Sequence, residues 1–176
     1  MQKLNINEQL HSLYKSKWLS LCAAMEPILS DEMFGIKPTC PLLLSVQDEE
    51  EFKSADIRIM VYGQETNNWY KQFTSDLEVV LGFYRGFFNE DEWIQTRGQF
   101  WRGFSRFKSL IEAKYPEKKV RVLWNNIVKI GKHQAKGFPP GYIYEVEREY
   151  FCLTAAELDI IKPNVVLFLS GPNYDG

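Results

Sequence analysis

Along the first thirty positions, apolar residues recur at steps of three, four and seven: Leu10, Leu13, Tyr14, Trp18, Leu21, Met25 and Ile28. This is the period of a helix with one buried face, so the pattern predicts an amphipathic helix ending between residues 27 and 30. Residues 31–50, with Gly35, Pro38 and Pro41, read as loop with one short apolar element at 42–46, and the run DEEE at 48–51 reads as exposed. The pattern then changes. IRIMVY at 57–62, VRVLW at 120–124 and VVLFL at 165–169 are short runs of β-branched and bulky residues, the signature of strands inside a sheet. Each closes on small or amide residues: Gly63, then Asn125 and Asn126, then Ser170 and Gly171.

Helical patterns separate the strands. A weak one covers 75–87 and a clearer one covers 91–114, where Trp93, Phe100, Trp101, Phe104, Phe107, Leu110 and Ile111 form a single stripe expected in the core. Residues 144–152 read as helical. Thr154 and Glu157 have the spacing of a capping box opening a last helix that stops before Pro163. Strands joined through helices pair in parallel, so the expected fold is α/β, a three-layer α/β/α sandwich around a central parallel sheet. One domain spans 1–176, with 1–54 packed on it as a helical and loop extension. Ligands of such sheets bind beyond the carboxyl ends of the strands, where the amide-rich turns at 63–68, 125–126 and 170–175 fall.

Composition narrows the partners. Aromatic residues make up 15% of the chain and gather between Trp69 and Phe107, a surface to be buried or shown to a ligand. The formal net charge is −2, without the basic excess of a protein that coats nucleic acid, so any such contact must be local. Arg97, Arg102, Arg106 and Lys108 form one local basic group, and Lys118, Lys119, Arg121, Lys129, Lys132 and Lys136 another. Solvated helix faces and loops explain both equally simply. Three cysteines, Cys22, Cys40 and Cys152, show no paired spacing, which predicts neither a disulfide framework nor a zinc site and a cytoplasmic setting. No apolar run approaches the about 18 residues of a membrane span.

GQET at 63–66 resembles the first motif of the uracil-DNA glycosylase superfamily, a strand running into Gly-Gln-Asp-Pro, with Glu65 and Thr66 at the Asp and Pro positions. LWN at 123–125 resembles the second-strand segment whose last Asn reads the base. CLTAAELDIIKPNVVLFLSG at 152–171 is similar to the stretch in which helix, proline and apolar strand lead into a glycine turn. The resemblance covers about residues 55–176. It implies a uracil-DNA glycosylase-like hydrolase that cleaves the N-glycosidic bond of a flipped uracil or damaged base in single- or double-stranded DNA, with no metal and no cofactor. Family members continue into a further strand and a His-containing motif. Here the two histidines are His11 and His133, so the expectation is a fragment or a lineage without that motif. Asn67 stands where some members carry an aromatic that excludes thymine.

Cleaving such a bond needs a carboxylate, a positioned water and donors for the departing base. Glu65 is the acid of the first turn and is expected to orient water, or else to cap the following segment. Gln64 would serve the base or the water, or fill the turn, and Gly63 and Asn67 would border the substrate. Asn125 would read the base edge, with Asn126 as the alternative if the register slips by one. Phe73, Phe83 and Tyr84 are candidate stacking rings or core. Ser170, Gly171 and Asn173 would border phosphates through backbone N–H groups. The other reading is a catalytically inactive relative binding nucleic acid, a nucleotide or a protein. An unrelated nucleotide-binding α/β domain ranks last, because no Gly-rich phosphate loop is present.

Overall fold

A computed structural model of the chain describes residues 4–89, 92–96 and 98–170. Its first helix, α1 (Ile6–Ser30), starts where the Asn5 side chain accepts the Glu8 N–H and the Glu8 carboxylate accepts the Asn5 N–H, each at 2.8 Å. The reciprocal pair satisfies two donors that a helix start leaves open. Leu10, Tyr14, Trp18, Leu21, Met25 and Ile28 are all buried, as their spacing predicts.

The segment after α1 is irregular, as expected, but its apolar part is buried. Cys40, Leu42, Leu43 and Leu44 are at most 1% exposed, and the extended chain is tied to distant carbonyls: Thr39 N–H to Gly131, Cys40 N–H to Lys71, Leu42 N–H to Lys129. With its backbone groups satisfied, an apolar segment can run through the interior without joining a sheet. The acidic run is also divided. Asp48 caps α2 (Glu49–Ser54) by accepting the Glu51 N–H, while Glu49 turns back to accept the Ile6 and Asn7 N–H groups at 2.7 and 2.8 Å, a carboxylate at the positive end of α1.

Three parallel strands, β1 (Ile57–Glu65), β2 (Val120–Val128) and β3 (Val165–Phe168), form one sheet in the order β2-β1-β3. Tyr62 pairs with Asn125 on one side and Phe168 on the other, and Gly63 pairs with Asn126. The first two strands therefore outrun their apolar cores. β1 continues through Gly63, Gln64 and Glu65, and β2 carries Asn125 and Asn126 inside the ladder instead of ending at them. Paired residues of parallel strands point to the same face, so Val61, Gly63, Trp124 and Asn126 share one face and Tyr62, Asn125 and Phe168 the other.

α3 (Leu77–Tyr84) is capped by Asp76, which accepts the Glu78 and Val79 N–H groups. A wide π-helical turn (Arg85–Asn89) and a 3₁₀ turn (Glu92–Gln95) follow, and α4 (Gln99–Lys114) begins only at Gln99. The single helix expected over 91–114 is thus broken, with Trp93 on the separate turn. Within α4, Phe104 is fully buried but Leu110 is 57% exposed; six residues further on, it lies about 120° round the helix from the stripe. α5 (Gly141–Tyr150) and α6 (Thr154–Ile161) complete the chain of elements before β3. α6 ends with Lys162 in the left-handed region (φ 50°) ahead of Pro163, but Thr154 does not cap it. Leu153 holds the cap position, and Glu157, expected in a capping box, is fully buried.

Helices pack on both faces of the sheet. Tyr14 of α1 and Glu157 of α6 meet on the face of Asn125, and Phe100 and Trp101 of α4 meet Trp124 on the other. The architecture is mixed α/β, an open three-stranded parallel sheet with helices around it, compatible with an α/β sandwich.

Candidate functional site

A cavity of about 650 Å³ opens at the carboxyl ends of β1 and β2, where α/β sheets hold ligands. Glycine at position 63 shapes its floor. A Cβ there would lie 2.5 Å from Asn126 Oδ1 and 3.1 Å from the Phe100 ring, so its absence lets the amide and the ring close on the strand. Gly131, in the segment after β2, also leaves no room for a side chain: a Cβ there would stand 1.7 Å from the Thr66 carbonyl oxygen. The turn leaving β1 rests directly on that backbone. Thr66 Oγ1 also donates to the Lys129 carbonyl at 2.8 Å, and Thr66 N–H to the Val128 carbonyl at 3.2 Å.

The two asparagines of β2 face opposite ways, and the cavity receives the second. Asn126 lines it, 4% exposed, with Oδ1 accepting from Trp124 Nε1 at 3.1 Å. Asn125 is fully buried on the other side of the sheet and has no place on the wall. Its Nδ2 donates to Glu157 Oε2 at 2.9 Å, and its Oδ1 accepts from Lys129 Nζ and from the Asn126 N–H, both at 2.8 Å. The side chain expected to read a base is occupied by this network, and of the two asparagines it is Asn126, the alternative, that lines the cavity.

Gln64, Glu65 and Asn67 all border the cavity. Glu65 is 9% exposed and Gln64 is exposed. Asn67 Nδ2 donates to Glu65 Oε1 at 3.3 Å, while Asn67 Oδ1 accepts the Gly137 N–H at 2.8 Å. Asn68, with φ 49°, accepts the Gln134 N–H at 2.7 Å through its own Oδ1. The amides of Asn67 and Asn68 thus tie the loop after β2 to the turn after β1. Asn67 orients the carboxylate, and Glu65 caps no helix.

Rings form much of the wall: Trp69, Tyr70, Phe87, Phe100, Trp101 and Trp124. None of the three rings expected to stack on a base is among them. Phe73 is buried against Trp18, with centroids 5.8 Å apart, and Tyr84 is fully buried with its hydroxyl donating to the Trp124 carbonyl. Phe83 lies behind Tyr70, parallel to it at 4.4 Å. The helical period predicts Phe100 and Trp101 in the core, and both are partly buried against it while also lining the cavity. That period marks a face as apolar without saying whether another element or an open cavity lies against it.

Behind the sheet lies a buried polar cluster. Glu157 accepts from Tyr14 Oη, Asn125 Nδ2 and Lys129 Nζ at 2.8, 2.9 and 2.8 Å, and the Tyr14 hydroxyl accepts the Leu44 N–H at 3.0 Å. Burial, then the neighbouring Glu157 carboxylate, holds the Tyr14 hydroxyl protonated well beyond its ordinary range. Glu147 accepts the Lys129 and Ile130 N–H groups at 2.7 and 2.9 Å, and burial pushes its carboxyl up to about 7. Lys129 therefore leaves the basic group to which the sequence assigned it.

Two other members of that group are paired, Lys118 with Asp56 and Arg121 with Glu51, and Lys108 of the first basic group bridges to Glu112. Among the described residues, Lys136 is the basic side chain on the cavity wall. Ser170 is half-buried beside the site without lining it; Arg97, Gly171 and Asn173 lie outside the described residues. Among the described residues no group of three or more His, Cys, Asp or Glu could hold a metal ion, and no helix is long and apolar enough to cross a membrane. Compared with protein-family models, curated proteins and solved structures, the chain matches none of them.

Proposed function

We propose that the chain is a uracil-DNA glycosylase-like hydrolase, with the three-layer sandwich of that superfamily, that cleaves the N-glycosidic bond of a base held in the cavity. The observation that carries the reading is one wall combining the Glu65 carboxylate, the Asn126 amide and a cluster of aromatic rings at the ends of adjacent strands. A flipped base is planar, so it stacks on rings such as Trp101 and Phe100 and offsets the few kcal/mol lost on leaving its helix. Water attacks the sugar carbon, and its proton passes to Glu65 as the new C–O bond forms. The C–N electron pair departs on the base, where the Asn126 N–H donors stabilise it.

A second reading keeps the binding and drops the cleavage. It is favoured by the charge map, in which Lys108, Lys118 and Arg121 are paired with acids and only Lys136 among the described basic residues faces the cavity. Long duplexes are held by many such contacts. Both readings meet one experiment. The chain and Glu65→Gln are incubated with single- and double-stranded oligonucleotides carrying uracil or hypoxanthine, and abasic product and bound fraction are measured together. Product from the chain and not from the variant supports the hydrolase. Retention without product supports the binder, and neither product nor retention overturns both.

A further inference from the structure

We infer that Asn126 reads its ligand as a hydrogen-bond donor only, and that Trp124 sets this specificity. The inference rests on the base-binding reading above and narrows it. The ring that fits presents an acceptor, a carbonyl oxygen or a bare ring nitrogen, to β2.

An indole N–H donates and cannot accept. Trp124 Nε1 stands 3.1 Å from Asn126 Oδ1, and the two residues are 5% and 4% exposed. Turning the amide over would set NH₂ against N–H, two buried donors facing each other with water excluded, which costs the desolvation of both. The carboxamide is therefore held with its oxygen on the indole. The oxygen is also packed against the backbone of Gly63, since a Cβ there would be only 2.5 Å away.

The opposite end of the amide is unsatisfied. No acceptor pairs with Asn126 Nδ2 among the described residues. Trp69 stands on the same wall at 7% exposure, and its Nε1 is buried with no hydrogen-bond partner. Both unmet groups are donors: Asn126 Nδ2 is open to the cavity, and Trp69 Nε1 is buried, where polar groups without partners are uncommon enough to need a reason. A ligand acceptor supplies one. A free carboxamide reads the carbonyl and the adjacent N–H of an imide edge together; this one has one side of its oxygen on the indole and another closed by the Gly63 backbone, and reads the carbonyl alone.

The test uses two free bases, uracil and 3-methyluracil, which differ at the imide N–H. Their Kd values are measured for the chain, Trp124→Phe and Asn126→Ala by calorimetry, with the Asn126 side-chain NH₂ and Trp124 indole resonances followed by NMR. Phenylalanine keeps a ring but frees the amide oxygen to accept the imide N–H. The preference for uracil over 3-methyluracil then rises about three- to tenfold over that of the chain, the worth of one hydrogen bond. The added methyl has the same bulk in both proteins, so comparing the two preferences cancels its fit. In the unaltered chain, uracil shifts the Asn126 NH₂ resonances and leaves the Trp124 indole resonance in place.

Equal preferences in the chain and Trp124→Phe overturn the inference. So do undiminished uracil binding by Asn126→Ala and the absence of binding by either base. If Trp124→Phe does not fold, the resonances decide: a still Asn126 amide, or a moving indole, overturns it. Uracil bound with the expected pattern but never released from DNA keeps the inference and removes the hydrolase. Release from DNA with equal preferences does the reverse.

Discussion

Lys129 Nζ lies 2.8 Å from Glu157 Oε2, with the two side chains 1% and 0% exposed, on the face of the sheet opposite the cavity. The pair reaches the cavity through the backbone of the same lysine, whose carbonyl accepts the Thr66 hydroxyl. A charge pair this deep gains little over an apolar pair of the same shape, yet is costly to break. Glu157→Ala leaves the Lys129 ammonium buried without its carboxylate and is expected to cost about 3 to 5 kcal/mol in urea unfolding. The double variant Lys129→Met with Glu157→Leu is expected to recover part of that loss, since the charge is gone but Tyr14 Oη and Asn125 Nδ2 still lack their acceptor. A loss below about 1 kcal/mol for Glu157→Ala would show the ammonium finding water on its own.

Glu147 makes stability depend on pH. Burial raises its carboxyl to about 7 from the ordinary 4.5, against opposing donation from the Lys129 and Ile130 N–H groups and the Lys129 charge. The folded chain then holds this proton more tightly than the unfolded chain. The stabilisation is complete below pH 4.5 and is lost as pH rises through 7, an effect of order 3 kcal/mol. Urea midpoints of the chain and Glu147→Gln, whose amide mimics the protonated acid, are expected to lie close together below pH 4.5 and to separate as pH rises, the chain losing stability that the variant keeps. A constant difference would assign the slope to other groups.

Gly63 and Gly131 are predicted to fail differently when given a methyl group. In Gly63→Ala the new Cβ meets the Asn126 amide and the Phe100 ring, which can shift, so stability falls by about 1 to 3 kcal/mol while uracil affinity falls about tenfold. In Gly131→Ala the obstacle is the Thr66 backbone at 1.7 Å, and the larger loss is in stability. Thermal unfolding beside base titration separates the two, and unchanged uracil affinity in Gly63→Ala would remove Asn126 from the binding wall.

Glu65 and Asn67 are expected to divide between chemistry and positioning. Glu65→Gln keeps the shape of the side chain and loses the base, so release of uracil from DNA falls about a hundredfold or more with base affinity nearly unchanged. Asn67→Ala removes the bonds to Glu65 and to the Gly137 N–H, and its release rate is expected to fall about tenfold. Stopped or steady-state release assays check both. Equal release by the chain and Glu65→Gln would take the carboxylate out of the reaction.

The clearest legible features were local. α1 follows from seven apolar positions on one helical stripe, and the strands at 57–62, 120–124 and 165–168 from β-branched runs, although the third, read as a strand inside the sheet, is an edge strand and mostly exposed. Their ends were not legible. Asn125 and Asn126 read as strand closers because an amide inside a buried strand needs a partner, and here the partners of Asn125 are Lys129 and Glu157, the latter 32 positions away. Glu157 itself carried the spacing of a capping residue, and only packing of α6 beneath the sheet turned it inward.

Hydrophobic period and turn composition, both properties of neighbouring residues, were enough to specify a parallel α/β layout and to direct attention to the ends of its first two strands. The tertiary structure decided which asparagine faces the cavity, which rings line it and where Lys129 resides. Those outcomes depend on strand register and on pairings between residues far apart in the chain, and a linear pattern does not encode either.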